Sequence, residues 1–250
     1  MRVVATYNIK GGVGKTSAAV NLGYLAARDG LRTLLWDLDP QGSATYLFRV
    51  KPKVKGGGKA LVAGRRSLDQ AIKETDFDRL DLMPADFSYR NLDLDLDSTK
   101  RSTDRLRRLV APLKDEYELV ILDCPPSVSL VSENVVRACH VLMVPLIPAV
   151  LSMHTFDQLT GFVDGLPGRK PLVMAFLSMV DRRKKAHRDL AQRLPQDRGS
   201  VVAEAIPYLA VIEQMARHRG PVPDFAPRSP ATAAYEALWA RLQSSLAEIA

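Results

Sequence analysis

The sequence predicts an α/β fold, a single domain with a mainly parallel twisted sheet and helices on both faces. Three observations predict it. Short apolar runs of strand length alternate with stretches whose apolar residues recur at helical spacing, the pattern of parallel strands joined by helical crossovers. A glycine-rich loop separates the first strand-like run from the first helical one. The chain has 250 residues, 46% of them hydrophobic and 25% charged, which suits one large domain and rules out a chain disordered from end to end.

Taken in order, Arg2 to Asn8 is a short β-branched run and reads as a buried strand. From Lys15 to Arg28 the residues Ala19, Leu22, Leu25 and Ala26 recur on one helical face, and Gly30 closes the helix. Arg32 to Asp37 reads as the second strand. Residues 49–66 are basic and contain Gly56, Gly57 and Gly58; they read as a mobile surface loop. In Leu92 to Asp97, leucines alternate with Asp93, Asp95 and Asp97, so the leucines bury one side of a strand or helix start. Further strands are expected at Tyr117 to Asp123, His140 to Leu146 and Pro171 to Leu177, with helices around 101–113, 130–138, 153–164 and 185–194. Ala231 to Ile249 carries Leu238, Leu242, Leu246 and Ile249 at helical spacing. It reads as a helix docked on the body, without the basic polar face of a membrane-surface helix. The resulting domain spans 1–250.

Several classes are excluded. The longest nearly unbroken apolar run, Val141 to Leu151, contains Pro145 and Pro148 and is too short to span a bilayer. No hydrophobic leader with a cleavage site is visible. Cys124 and Cys139 make no disulfide framework, and His140, His154, His187 and His218 have no metal spacing. A cytoplasmic protein is expected.

The net charge of +7 is unevenly spread. Arg49, Lys51, Lys53, Lys55, Lys59, Arg65 and Arg66 share a segment with no acid. Lys100, Arg101, Arg105, Arg107 and Arg108 form a second run, and Arg182, Arg183, Lys184, Lys185, Arg188, Arg193 and Arg198 a third. Basic runs on an otherwise acidic body suggest a polyanion partner.

The strongest chemistry is Lys10-Gly11-Gly12-Val13-Gly14-Lys15-Thr16-Ser17. Its glycines let successive backbone N–H groups point inward, and the following helix N-terminus adds its positive end to the same anion site. Lys15 then reaches the β- and γ-phosphates of a nucleotide, and the Thr16 hydroxyl ligates Mg²⁺. Ile9 stands where the general phosphate-loop motif has its first glycine. The loop instead matches the deviant form Lys-Gly-Gly-x-x-Lys-Thr. Two further motifs follow in order, Trp36-Asp37-Leu38-Asp39-Pro40-Gln41-Gly42 and Val120-Ile121-Leu122-Asp123-Cys124-Pro125-Pro126-Ser127.

With these three motifs the chain resembles the ParA/MinD family of deviant Walker P-loop ATPases, closest to small Soj-like partition ATPases. Leu82 to Ala85, Leu177 to Asp181 and Ile206-Pro207 extend the resemblance over nearly the whole chain. It implies ATP and Mg²⁺ as cofactors. Lys10 looks like the signature lysine that reaches the partner's phosphates across a face-to-face dimer. Asp39 matches the carboxylate that orients the attacking water, and Asp123 the one that holds Mg²⁺. Asp37 is a supporting group near the cation or a cap on the chain leaving the strand. Gly11 to Ser17 contact the phosphates, and Met179 and Pro207 line the adenine.

Three functions fit such an ATPase. A partition ATPase is a homodimer when ATP-bound, binds double-stranded DNA nonspecifically on the nucleoid and is released when a ParB-like protein stimulates hydrolysis. A MinD-like regulator binds membrane, and a metabolic ligase activates a carboxylate. The basic runs favour the first, with Arg182, Arg183, Lys184, Lys185, Arg217 and Arg219 as DNA-contact candidates and no membrane expected. A chain opening directly on its first strand is expected to lack the helix-turn-helix domain of larger partition ATPases.

Overall fold

The computed structural model describes residues 1–65, 68–98 and 102–249. Arg66, Lys100 and Arg101 of the basic runs lie outside the described residues, as does Ala250.

One sheet runs through the molecule. Its strands are β1 (Arg2–Thr6), β2 (Thr33–Asp37), β3 (Lys73–Glu74), β4 (Leu80–Met83), β5 (Leu119–Asp123), β6 (Val141–Leu146), β7 (Leu172–Val180) and β8 (Val201–Pro207). They lie in the order β3-β4-β2-β5-β1-β6-β7-β8. Every neighbouring pair is parallel except β3 with β4. The crossovers carry α1 (Lys15–Arg28), α2 (Ser43–Leu47), α3 (Gly57–Val62), α4 (Leu92–Asp97), α5 (Arg105–Val110), α6 (Leu130–Ala138), α7 (Val150–Gly165) and α8 (Lys185–Asp197). After β8 come the short α9 (Ala210–Glu213), α10 (Met215–His218) and α11 (Val222–Phe225), then the long α12 (Pro230–Glu248).

Alternate strand residues feed two separate cores, because successive side chains leave a strand on opposite faces. Val3, Leu34, Val120, Leu142 and Ala175 join one core, with α4 to α7 packed over it. Val4, Leu35, Ile121, Met143 and Phe176 join the other, under α1 and α12. Burial on both faces explains why these strands read as continuous apolar runs.

Chain order reverses around β1, which lies between β5 and β6. Ligands of such sheets bind in the crevice beyond the carboxyl ends of the strands at that point. Register aligns the residues there: Thr6 pairs with Asp123, and Asp37 pairs with Asp123 from the other side.

Of the segment 49–66, the described residues 49–65 are not the surface loop that its composition predicts. Val54, Leu61 and Val62 are buried, and Gly57–Val62 form α3. The Val54 N–H donates to Asp86 Oδ2 at 2.7 Å, and the Gly58 N–H to Ser88 Oγ at 2.8 Å. A Cβ on Gly58 would meet the Tyr89 ring at 3.0 Å, so this glycine serves close packing rather than flexibility. Leu92–Asp97 is a helix with Leu92 and Leu96 buried but Leu94 exposed. The expected helix at 101–113 is broken up, with α5 flanked by 3₁₀ turns at Ser102–Asp104 and Ala111–Asp115. Strands β4 and β8 and helix α2 have no counterpart among the expected elements.

Candidate nucleotide site

The loop leaves β1 and enters α1 at the centre of the sheet. Gly12 and Gly14 adopt φ of +69° and +95°, a region that side chains rarely occupy. A Cβ on Gly14 would also lie 2.8 Å from Ser178 Oγ at the end of β7. Gly14 is the N-cap of α1 and no side chain caps that helix, so its first N–H groups face outward to an anion. Val13 is buried beneath the loop. Lys15 is buried, and its ammonium donates to the Lys10 carbonyl at 2.9 Å. Burial lowers its pKa, against the pull of Asp123 and Asp39.

Two carboxylates stand beside it, both fully buried. Asp37 accepts from the Thr45 N–H at 2.8 Å and the Thr45 hydroxyl at 2.7 Å through one oxygen. Its other oxygen accepts from the Asp39 N–H at 3.2 Å. Burial pushes its pKa up to about 6, with Thr45 opposing the shift. Asp37 therefore caps the chain leaving β2, one of the two roles open from the sequence, and both its oxygens are committed to protein donors. Asp123 differs. Its Oδ1 accepts from the Thr6 hydroxyl at 3.4 Å, while among the described residues Oδ2 has no hydrogen-bond partner within normal geometry. Burial raises its pKa well above the usual range, reinforced by the neighbouring charge of Asp37; the Thr16 side chain and Lys15 pull the other way.

An orphaned buried carboxylate oxygen beside a threonine hydroxyl, next to a phosphate loop, fits a hard divalent cation. Among the described residues no group of three or more His, Cys, Asp or Glu side chains forms a metal cage. Such a cation would therefore share its remaining positions among phosphate oxygens and water.

A cleft of about 730 Å³ opens over the loop, and Gly11, Gly12, Gly14, Lys15, Thr16, Ser17 and Asp39 line it. Asp39 is half-buried, and one of its oxygens accepts from the Gln41 N–H at 2.9 Å. Met179 lines both this cleft and an adjoining slot that Ile206, Pro207 and Ile212 complete. Met179 has a φ of +58°, strain of a kind that gathers at ligand sites. Lys10 is turned away from the loop, its ammonium donating to the Leu151 carbonyl at 3.0 Å.

A family model described as an AAA domain matches residues 1–171. The chain is 31% identical over 213 residues to the chromosome partitioning protein ParA of Caulobacter vibrioides, covering 82% of this chain and 80% of that one. The chain belongs to the ParA family.

A second ParA-family relative is the sporulation initiation inhibitor protein Soj of Bacillus subtilis, 29% identical over 234 residues, 91% of this chain and 92% of that one. Among solved structures, Mycobacterium smegmatis cobyrinic acid a,c-diamide synthase with bound ADP and magnesium is similar at a TM-score of 0.76. It is 28% identical, with 88% of this chain and 91% of that one covered. The ATP complex of Cyanothece McdA shares the fold at a TM-score of 0.86 and 16% identity, over 97% and 96% of the two chains.

In this ParA-family chain the six basic candidates fall on two segments, the β7–α8 junction and α10 with its C-cap. Arg182, Arg183 and Lys184 lie exposed between β7 and α8, and Lys185 is exposed at the start of α8. Arg183 is committed to a two-point ion pair with Asp181, at 3.0 and 2.9 Å. Arg217 is exposed on α10. Arg219 ends α10 with a φ of +53°, donates to the Tyr46 carbonyl at 3.0 Å and lays its guanidinium over the Tyr46 ring. Arg219 is thus a helix cap and a latch on α2. Thr6, Thr45, Tyr46 and Ser178 also belong to the site's construction, and sequence reasoning missed them. Thr45 alone had a local signal, a hydroxyl eight residues after Asp37 at the start of a helix.

Proposed function

We propose that this ParA-family chain is an ATPase that dimerises around ATP, binds duplex DNA without sequence preference and releases it on hydrolysis stimulated by a ParB-like partner. Lys15, Thr16 and Asp39 line one cleft, and the buried Asp123 with its orphaned oxygen interacts with all three; that arrangement supports this reading most directly. The N–H groups of Gly11 to Ser17 bind the phosphates, and Lys15 exchanges the Lys10 carbonyl for a phosphate oxygen. Met179 and Pro207 receive the adenine in the slot beside Gly14. Thr16 and Asp123 hold Mg²⁺, which when bound neutralises charge on the β- and γ-phosphates.

Asp39 orients a water toward the γ-phosphorus. Attack forms the new P–O bond, the bond to ADP breaks, and the water's proton leaves through Asp39 or solvent. Lys10 exchanges Leu151 for the partner's phosphates, placing a cation where charge develops. Loss of the γ-phosphate removes that cross-dimer contact and with it the paired basic surfaces.

The chain acts in the cytoplasm and on the nucleoid in this reading; among the described residues no helix is long and apolar enough to cross a membrane. The test is duplex binding by Asp39→Ala protein with ATP and Mg²⁺ against ADP, at two salt concentrations. Binding only with ATP is expected, with a salt slope near −5 if about six phosphates are neutralised. ATP binding without DNA binding would overturn the partition reading. A second reading, ATP-dependent amide formation, draws on the 28% identity to the cobyrinic acid a,c-diamide synthase. Amide product from an added carboxylic acid and glutamine would establish it.

A further inference from the structure

We propose that the groove between residues 50–55 and 70–74 is a second phosphate-backbone contact, holding nucleic acid at the β3 edge of the sheet. The identity of this polyanion rests on the DNA-binding reading above.

The groove encloses about 700 Å³ and is lined by Lys51, Lys53, Lys55 and Lys73 against one acid, Glu74. These lysines come from two separate segments and all four are exposed. Among the described residues none of them has an ion pair, whereas nearby Arg49 is paired with Asp76 at 2.6 Å. Asp86 lies below the groove, but both its oxygens accept backbone N–H groups, from Val54 and Ser88. Four like charges around one concavity raise the local potential, and an anion laid along it relieves that repulsion.

The groove is also held in place. Val54 is buried between Lys53 and Lys55, and α3 is anchored through Leu61 and Val62. Charges fixed in advance lose less freedom on binding. Its lining offers only Val50 and Ala71 as apolar contacts, so there is no pocket to seat the anchor side chain of a protein partner. A phosphate backbone needs none, since its contacts are ionic and carry no sequence information.

Position supports the same occupant. Arg49 donates to the His218 carbonyl at 3.1 Å, so the groove's segment is joined to the α10 end that carries Arg217 and Arg219. The run at Arg182 to Lys185 adjoins β7, six strand intervals from β3 in the sheet order, about 29 Å at the usual strand spacing. At that separation the two contacts contribute independently.

The test uses the full chain with a non-hydrolysable ATP analogue and Mg²⁺, a random-sequence duplex and a salt titration. Lys51/Lys53/Lys55/Lys73→Ala is expected to bind at least about tenfold more weakly near 0.1 M salt, with a slope shallower by about 3–4 than a wild-type slope that the groove's contacts, added to the six above, steepen to about −9. Its melting temperature and nucleotide affinity should match wild type. Combining it with Arg182/Lys184/Lys185→Ala should multiply the two losses. Unchanged affinity and slope in the quadruple variant, with the triple variant still impaired, would overturn the groove alone. Failure of wild type to bind duplex in any nucleotide state would overturn both the groove and the DNA-binding reading. Polyglutamate binding wild type as tightly as duplex, and lost in the quadruple variant, would overturn nucleic acid in favour of an acidic protein segment.

Discussion

The Lys15 ammonium and the Lys10 carbonyl meet at 2.9 Å, so the loop's buried cation is held by the backbone of the residue that opens the motif. Phosphate entry must exchange this bond for a stronger one to a charged oxygen, which keeps Lys15 extended and ready. Lys15→Ala is expected to abolish ATP binding, read by calorimetric titration. Wild-type affinity in that variant would overturn the assignment of the site.

Asp39 lines the cleft and, unlike Asp37, among the described residues keeps one oxygen free of protein donors. Asp39→Ala should bind ATP with near-normal affinity and lose turnover by about 10²-fold or more. It should accumulate as an ATP-bound dimer, checked by light scattering after gel filtration; monomer throughout would argue against a dimerising cycle.

Among the described residues the Asp123 carboxyl has no hydrogen-bond partner at Oδ2. Burial raises the pKa of this carboxyl, so on raising the pH the folded state holds its proton longer than the unfolded chain does. Folding stability contributed by this group is therefore lost as pH rises above the usual carboxylate range. Asp123→Asn removes that cost and should stabilise the protein without nucleotide by about 1–2 kcal/mol. Its melting-temperature advantage should be larger at pH 8 than at pH 5, while Mg²⁺-dependent ATP binding is lost. An advantage independent of pH would show that Asp123 is not the group responsible.

Gly14 is constrained twice, by its φ of +95° and by Ser178 Oγ at 2.8 Å from a built Cβ. Gly14→Ala should cost about 1–3 kcal/mol in thermal or urea unfolding and impair ATP binding. Adding Ser178→Ala should recover the steric part only, because the backbone strain persists.

Arg182, Lys184 and Lys185 are exposed, and among the described residues they have no ion-pair partner. Arg182/Lys184/Lys185→Ala should retain ATP-dependent dimerisation and lose most DNA affinity in a filter or gel-shift assay. Normal DNA binding would reduce this run to a solvated face.

Much of the site was legible because its requirements are local. Gly12 and Gly14 are demanded by backbone angles that only neighbouring residues set; Lys15 and Thr16 start a helix, Asp37 and Asp123 end strands, and Asp39 follows β2 by two residues. The apolar runs of β1, β2, β5 and β6 needed no partner to be recognised. Residues 201–207 were harder, since Ala203 is exposed and Glu204 and Ala205 only half-buried; an edge strand lacks the apolar run. The charge of residues 49–66 hid Val54, Leu61 and Val62, whose burial depends on Asp86, Ser88 and Tyr89 some thirty residues away.

The sequence by itself determined the fold class, the glycine-rich loop between β1 and α1 and the two acidic strand ends, because strand period, glycine conformation and motif spacing act within a few residues. Only the tertiary structure decided which oxygen of which carboxylate is left without a partner. It also decided that Arg219 latches Tyr46 and that lysines from two segments face one groove. Those outcomes depend on which distant strands become neighbours, and strand register is set by packing of the whole sheet.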